Sequence, residues 1–164
     1  MYYKTNKFES DRLEMVNVDS LRVGLIDINS DHVSYILINK TPHYYFAKSI
    51  IDSEKKFDIG GSGYLNYNNY FEANRENTST PKQFIELTNK IIGDGYNFTN
   101  YPVLVYRHWS RPFPLRRLDV VDGFHRLAIL AALGETEIMI CKLRYKNSII
   151  SRFIYKLSNF FGID

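Results

Sequence analysis

The stretch that decides the fold is residues 118–134, which read LDVVDGFHRLAILAALG. The apolar start at residues 118–121 predicts a short strand. Residues 124–133 predict a helix, because Ala and Leu have high helix propensity and Gly134 is a typical terminator. A second apolar run, at residues 137–143, predicts another strand. The order strand, sharp turn, helix, strand implies a crossover unit of an α/β domain.

The turn before this helix has an unusual order of charges. The first turn of a helix leaves four backbone N–H groups without partners and is the positive end of the dipole, so acidic residues are favoured there. This chain instead places His125 and Arg126 there, directly after Gly123. A bound anion makes that placement favourable, because backbone donors and guanidinium then meet one negative group. We therefore predict an anion site at residues 122–126, in which Asp122 either caps the helix or serves in catalysis or metal coordination.

Composition indicates one domain. With 164 residues, of which 45% are hydrophobic and 24% charged, the chain can bury one core, and we predict a single α/β (α+β) domain over residues 1–146. The formal charge of +3 is too small to predict nucleic-acid binding by itself. Cys141, the single cysteine, predicts a buried thiol in a reducing compartment. A polar N-terminus and the lack of about 18 consecutive apolar residues predict a cytoplasmic protein without a membrane span.

The upstream sequence predicts the other strands of a small mixed sheet. Residues 15–23 alternate between apolar and polar side chains, and residues 32–38 are rich in β-branched Val and Ile, so both predict strands that pair as neighbours. Residues 103–106 predict a further short apolar strand.

Helices are predicted on both sides of a glycine-rich segment. A loop or short helix begins at Thr41-Pro42, and residues 79–81 supply a hydroxyl cap followed by proline, which predicts a helix that ends near Gly93 or Gly95. Between them, residues 59–80 are rich in turn-forming residues and predict an inserted flexible loop.

The C-terminal residues 147–164 predict an amphipathic helix. Apolar residues recur at helical spacing from Ile149 to Phe161, while Arg152 and Lys156 fall elsewhere. We expect this helix either to pack on the domain or to form a homodimer or protein-partner interface, and a membrane-surface position is a further alternative.

The residues around the turn resemble the signature of the ParB/sulfiredoxin superfamily. The similarity is close over residues 118–143. Upstream it is loose and covers the strand at 15–23, a helix ending in residues 93–96 and the segment 101–105. The resemblance implies a ParB/sulfiredoxin-like domain that holds nucleotide phosphates at the turn.

Within this superfamily the turn is most similar to that of the free-serine kinases, which is Asp-Gly-His-His-Arg-like. Asp122, Gly123, His125 and Arg126 match that pattern, and Phe124 departs from it. Sulfiredoxins need a catalytic cysteine where this chain has Phe124. Partition proteins carry an arginine-rich motif and continue into DNA-binding helices, so double-stranded DNA is not an expected partner.

The resemblance implies a kinase that uses ATP, or another nucleoside triphosphate, and Mg²⁺ to phosphorylate a small polar or sugar-like hydroxyl compound. In that interpretation Gly123, Phe124, His125 and Arg126 contact the nucleotide. Asp122 and His125 are the catalytic residues, and Asp122 is the base or the magnesium contact. Positioning and charge neutralisation are what phosphoryl transfer mainly needs.

Substrate contacts are predicted outside the turn. The kinases use a glutamate from the loop after their early strands, and the comparable region here contains His43 and Tyr44. These are candidate substrate contacts, with a structural role as the alternative for His43. Arg107 opens a segment rich in arginine and aromatic residues, which either holds a base or polyphosphate or is a solvated connection.

Two other functions stay open at this point. One is a non-catalytic, nucleotide-responsive module that binds a protein partner through the C-terminal helix. The other is a ParB-like nucleic-acid-associated protein or nuclease.

Overall fold

The computed structural model describes residues 8–26, 33–53, 61–75, 78–98, 100–107 and 118–145. Within these ranges the chain forms six strands and four helices. The strands are β1 (Phe8–Asn17), β2 (Leu21–Ile26), β3 (Val33–Ile36), β4 (Val103–Arg107), β5 (Leu118–Asp122) and β6 (Glu137–Tyr145). The helices are α1 (Pro42–Asp52), α2 (Ser62–Ala73), α3 (Pro81–Asp94) and α4 (Phe124–Ala132). The predicted α/β domain with a mixed sheet is confirmed.

The six strands form one sheet in the order β1-β6-β4-β5-β2-β3. The β2–β5 and β4–β6 pairs are parallel, and the other three pairs are antiparallel. Alternate side chains of the inner strands, including Val23, Val105 and Ile140, form one core together with buried residues of all four helices. The end of β5 and the start of α4 pack against this core.

The strand predicted over residues 15–23 is in fact two strands. Asn17 Oδ1 accepts from the Asp19 N–H at 2.8 Å, and the Ser20 hydroxyl donates to the Asn17 carbonyl at 2.6 Å. These local bonds form a 3₁₀ turn over Val18–Ser20 that separates β1 from β2. The predicted neighbour pairing is confirmed for β2 and β3, whereas β1 lies at the opposite edge of the sheet.

The predicted crossover between residues 118–121 and 137–143 is not formed as a parallel pair. Strand β4 pairs antiparallel with β5 and parallel with β6, so β6 runs opposite to β5 and is separated from it by β4. The helix and both strands of this unit were predicted correctly. Their arrangement differs because β4 occupies the position next to β5.

The prediction of a flexible loop at residues 59–80 is wrong for most of the residues that the structure describes there, because Ser62–Ala73 forms helix α2. Tyr67 is fully buried and its ring stacks on Phe46 of α1 with centroids 4.7 Å apart. Gly63 lets the two helices approach closely, since a Cβ there would lie 2.9 Å from the Tyr45 carbonyl oxygen. Tertiary packing thus overrides the low helix propensity of the Gly, Tyr and Asn residues.

Other predicted helix boundaries agree closely with the structure. Thr41 caps α1 and accepts from the Tyr44 N–H, and Thr80 forms a capping box with Gln83 at the start of α3. Cys141 is buried, as predicted, and its thiol lies 3.7 Å from the Lys142 carbonyl oxygen. Among the described helices, none has the length and apolar character needed to cross a membrane. The predicted C-terminal helix at 147–164 and the arginine-rich residues 108–117 lie outside the described ranges.

Candidate functional site

The turn between β5 and α4 depends on Gly123. This residue is the helix N-cap with φ 86° and ψ 18°, a left-handed conformation that favours glycine. A Cβ there would lie 3.2 Å from the Val103 Cα and 3.0 Å from Arg126 Nη2, so space is also restricted. No side chain caps the helix. The capping role considered for Asp122 is therefore not observed, and no side chain of the described residues accepts from the N–H groups of the first turn.

Arg126 is held on the cleft side of this turn by three groups. Its Nη2 donates to Asp122 Oδ2 at 3.0 Å, and its Nη1 donates to the Tyr101 carbonyl at 2.9 Å and to the Tyr96 hydroxyl at 3.4 Å. The Arg126 side chain is 19% exposed, whereas that of Asp122 is 66% exposed. The protein's own carboxylate thus already partners the guanidinium, so an anion is not required to balance its charge.

His125 turns away from Arg126 and towards the interior. Its Nε2 lies 3.2 Å from the Tyr67 hydroxyl, 3.3 Å from Thr78 Oγ1 and 3.5 Å from the Ser79 backbone nitrogen. Burial lowers the pKa of His125 to about 4, with Arg126 adding to the decrease and Asp122 opposing it. The imidazole is therefore neutral at pH 7. The prediction that His125 and Arg126 form a pair of cations at the helix end is wrong.

His43 is fully buried behind the turn rather than placed at its surface. Its ring lies 4.1 Å from that of Phe124 and 5.0 Å from that of His125, measured between centroids. Burial first, and then His125, hold the pKa of His43 well below its usual value. The predicted direct contact of His43 with a substrate requires an exposure that the side chain does not have.

The remaining predicted contacts lie away from the turn or within the core. Phe124 packs against the core and the His43 ring, so its side chain supports the turn. Tyr44 is half-buried and its ring contacts Tyr45. Arg107 is the last residue of β4. Neither His43 nor Tyr44 borders the cleft in which Asp122 and Arg126 lie.

An open cleft of about 1080 Å³ lies in front of the turn. Besides Asp122, Gly123, His125 and Arg126, it is lined by Leu87, Lys90, Ile91, Asp94, Gly95, Tyr96, Asn97, Phe98, Tyr101 and Met139. Burial raises the pKa of Tyr96, and Arg126 opposes that increase. Residues 93–96 were predicted only as a helix end, although a glycine-aspartate-glycine-tyrosine run after a helix is itself a signal for a specialised loop.

The cleft offers few protein ligands for a divalent cation. No group of three His, Cys, Asp or Glu side chains comes together within the described ranges. Mg²⁺ at nucleotide sites commonly uses one or two carboxylates together with substrate phosphates and water. Asp122 fits that requirement because its carboxylate is largely exposed at the cleft, and Asp94 also borders the cleft.

Comparison of the chain with known protein families, curated proteins and solved structures finds no match. The functional interpretation therefore depends on the geometry of this cleft and on the sequence of the turn.

Proposed function

We propose that this protein is a nucleotide-dependent phosphotransferase, a kinase that uses ATP or another nucleoside triphosphate to phosphorylate a small polar or sugar-like hydroxyl compound. The observation that carries the proposal is the N-terminus of α4, which no side chain of the described residues caps and which opens with Gly123 into a cleft of about 1080 Å³. Backbone N–H groups at such an end bind phosphate well. The resemblance of residues 118–143 to the ParB/sulfiredoxin superfamily supports the same ligand class.

Arg126 supplies the positive charge for the phosphates. Its guanidinium lies against Gly123 and is fixed by the Tyr101 carbonyl, so it is positioned beside the helix end before any ligand arrives. A phosphate oxygen that approaches Nη2 competes with Asp122 Oδ2 for the same donor. An arginine held in place loses little conformational freedom on binding, which favours affinity.

Asp122 is the proposed magnesium contact. Once a phosphate replaces it on Arg126, its exposed carboxylate is available to Mg²⁺ that also binds the phosphates. The metal would neutralise charge on the phosphoryl group, and Asp122 would orient it. The apolar and aromatic lining of the cleft, including Phe98 and Met139, provides a surface for the base of the nucleotide.

Calorimetric titration with ATP, CTP and GTP in the presence of Mg²⁺ tests the binding step, and a turnover screen across hydroxylated metabolites tests the reaction. We expect Arg126→Ala to weaken nucleotide binding roughly ten- to hundredfold, as loss of a charge-assisted hydrogen bond does. Arg75→Ala is the matched control, since Arg75 forms a surface ion pair with Glu72 on α2 and does not border the cleft. Equal effects of the two variants would contradict the proposed phosphate site.

The outcomes also separate the other two functions. Nucleotide binding without turnover of any hydroxyl compound would favour a non-catalytic nucleotide-responsive module. Salt-sensitive binding to oligonucleotides, with no nucleotide binding, would favour a nucleic-acid-associated protein.

A further inference from the structure

The loop that follows α3 folds back on itself and contacts the turn between β5 and α4. Gly95 begins the loop with φ 75°, a left-handed conformation that favours glycine. Asn97 then closes a turn, because its side-chain Oδ1 accepts from the Asn100 N–H at 2.9 Å and its carbonyl accepts from the Tyr101 N–H at 3.1 Å. This turn brings the Tyr101 carbonyl back to the Tyr96 hydroxyl, which donates to it.

The guanidinium of Arg126 contacts this loop with one nitrogen and the turn with the other. Nη1 donates to the Tyr101 carbonyl at 2.9 Å and to the Tyr96 hydroxyl at 3.4 Å. Nη2 donates to Asp122 at 3.0 Å and lies 3.0 Å from the position of a Cβ added to Gly123. A guanidinium contains only donors and a carbonyl only accepts, so the direction of each of these bonds is fixed. The two nitrogens therefore have separate partners.

The ring and the hydroxyl of Tyr96 make separate contacts. The ring packs edge-on against Phe98, with centroids 4.8 Å apart. The hydroxyl donates to the Tyr101 carbonyl and accepts from Arg126, so it joins these two groups. Burial raises the pKa of Tyr96, although Arg126 opposes the increase, and the hydroxyl therefore keeps its proton at pH 7. A phenylalanine at this position would keep the packing and lose the connection.

We infer that Tyr96 is a positioning residue for Arg126, whose Nη1 it holds against the loop while Nη2 stays beside Gly123 to exchange Asp122 for a phosphate oxygen. The contacts that hold the guanidinium are present without a ligand, whereas the role towards phosphate rests on the proposed function. Fixing the guanidinium in advance favours affinity, because less conformational freedom is lost when the ligand binds.

Two tyrosine-to-phenylalanine variants of the full chain test this role. Tyr96→Phe keeps the ring and removes the hydroxyl. Tyr45→Phe is the matched control, because Tyr45 is on α1, is 47% exposed and does not border the cleft. Guanidinium NMR without a ligand measures the exchange between the Nη1 and Nη2 signals of Arg126, which are assigned by their loss in Arg126→Ala. Calorimetry without metal measures the affinity for pyrophosphate.

We expect Tyr96→Phe to accelerate the exchange roughly three- to tenfold, as the loss of one hydrogen bond predicts. The affinity for pyrophosphate should fall by roughly the same factor, because the hydrogen bond that is lost fixes the guanidinium for the ligand. Tyr45→Phe should match the wild type in both measurements.

Unchanged exchange in a folded Tyr96→Phe variant would overturn the inference, and so would faster exchange with unchanged affinity for pyrophosphate. If Tyr96→Phe does not fold, Asn97→Ala decides, because it loosens the turn that carries the Tyr101 carbonyl. It must accelerate the exchange, whereas Asn100→Ala keeps the backbone N–H used in the turn and must not. A wild type that does not bind pyrophosphate would contradict the proposed phosphate site, and the exchange rates would still decide whether Tyr96 holds Arg126.

Discussion

The two sides of the first turn of α4 use adjacent residues in opposite ways. On the interior side, His125 is neutral, contacts Tyr67 and Thr78, and lies 5.4 Å from the Phe84 ring between centroids. On the cleft side, Arg126 is charged and is held by Asp122 and a backbone carbonyl. Consecutive helical residues lie about 100° apart around the axis, so two neighbours in sequence do not share one ligand by default.

Burial explains why the two adjacent basic residues differ in charge. The sequence contains two basic residues in a row, but only the one on the cleft side keeps its charge at neutral pH. The interior residue loses its charge because desolvation disfavours the protonated ring. We therefore expect the interior side to determine stability and the cleft side to determine ligand binding.

The largest loss of stability is expected for substitution of Tyr67 on the interior side, compared with Tyr101 on the cleft side. Tyr67 is 0% exposed and stacks on Phe46, whereas Tyr101 is 63% exposed. Tyr67→Ala should lower the free energy of unfolding by about 3–5 kcal/mol, as other large-to-small aromatic substitutions in cores do. Tyr101→Ala should change it by no more than about 0.5 kcal/mol. Urea unfolding measures both, and similar losses would contradict the division between the two sides.

A smaller effect is expected from acid. The pKa of His125 is lowered from 6.5 to about 4 in the folded protein, so the unfolded chain binds more protons between these values. The stabilisation that neutral His125 contributes is fully present above pH 6.5. It decreases by about 3 kcal/mol as the pH falls towards 4. The lowered pKa of His43 adds in the same direction.

His125→Gln separates this contribution from the titration of carboxylates. The variant keeps a neutral polar side chain that cannot gain a proton. The difference between wild type and variant in the free energy of unfolding should therefore shrink as the pH falls from 7 to 4.5. A difference that stays constant over that range would mean that His125 is not buried in its neutral form.

The next prediction compares the stability lost when each of two glycines with positive φ is replaced by alanine. Gly123 has φ 86° and Gly134 has φ 92°, so alanine is strained at both. Around Gly134 nothing lies within 4 Å of an added Cβ, but at Gly123 the Val103 Cα lies at 3.2 Å. Gly134→Ala should cost about 1–2 kcal/mol, and Gly123→Ala about 1 kcal/mol more because a buried backbone must move. Equal costs in thermal unfolding would show that space at the turn is not limiting.

Local sequence rules predicted the elements that depend on local chemistry. The capping hydroxyl and proline at the start of α3 are recognisable because they satisfy the helix's own backbone. The turn before α4 is recognisable because its left-handed conformation favours glycine. Helix α2 could not be predicted in this way, since Tyr67 makes its decisive contacts with Phe46, 21 positions earlier in the chain. The inward position of His125 depends likewise on Thr78 and Tyr67, which no spacing within residues 118–134 reveals.

The smallest effect on stability is expected at the cleft, for the ion pair between Asp122 and Arg126. The Asp122 carboxylate is 66% exposed, so solvent screens the pair, and pairs screened in this way contribute no more than about 1 kcal/mol. Asp122→Asn should therefore lower the free energy of unfolding no more than Asp52→Asn, which weakens an i,i+4 pair with Lys48 on α1.

The two variants should differ instead in their affinity for pyrophosphate, measured calorimetrically without metal. Asp122→Asn removes the anion that competes for Arg126 and should bind more tightly, whereas Asp52→Asn should bind like the wild type. A large loss of stability in Asp122→Asn would place this carboxylate among the structural groups and remove it from the site.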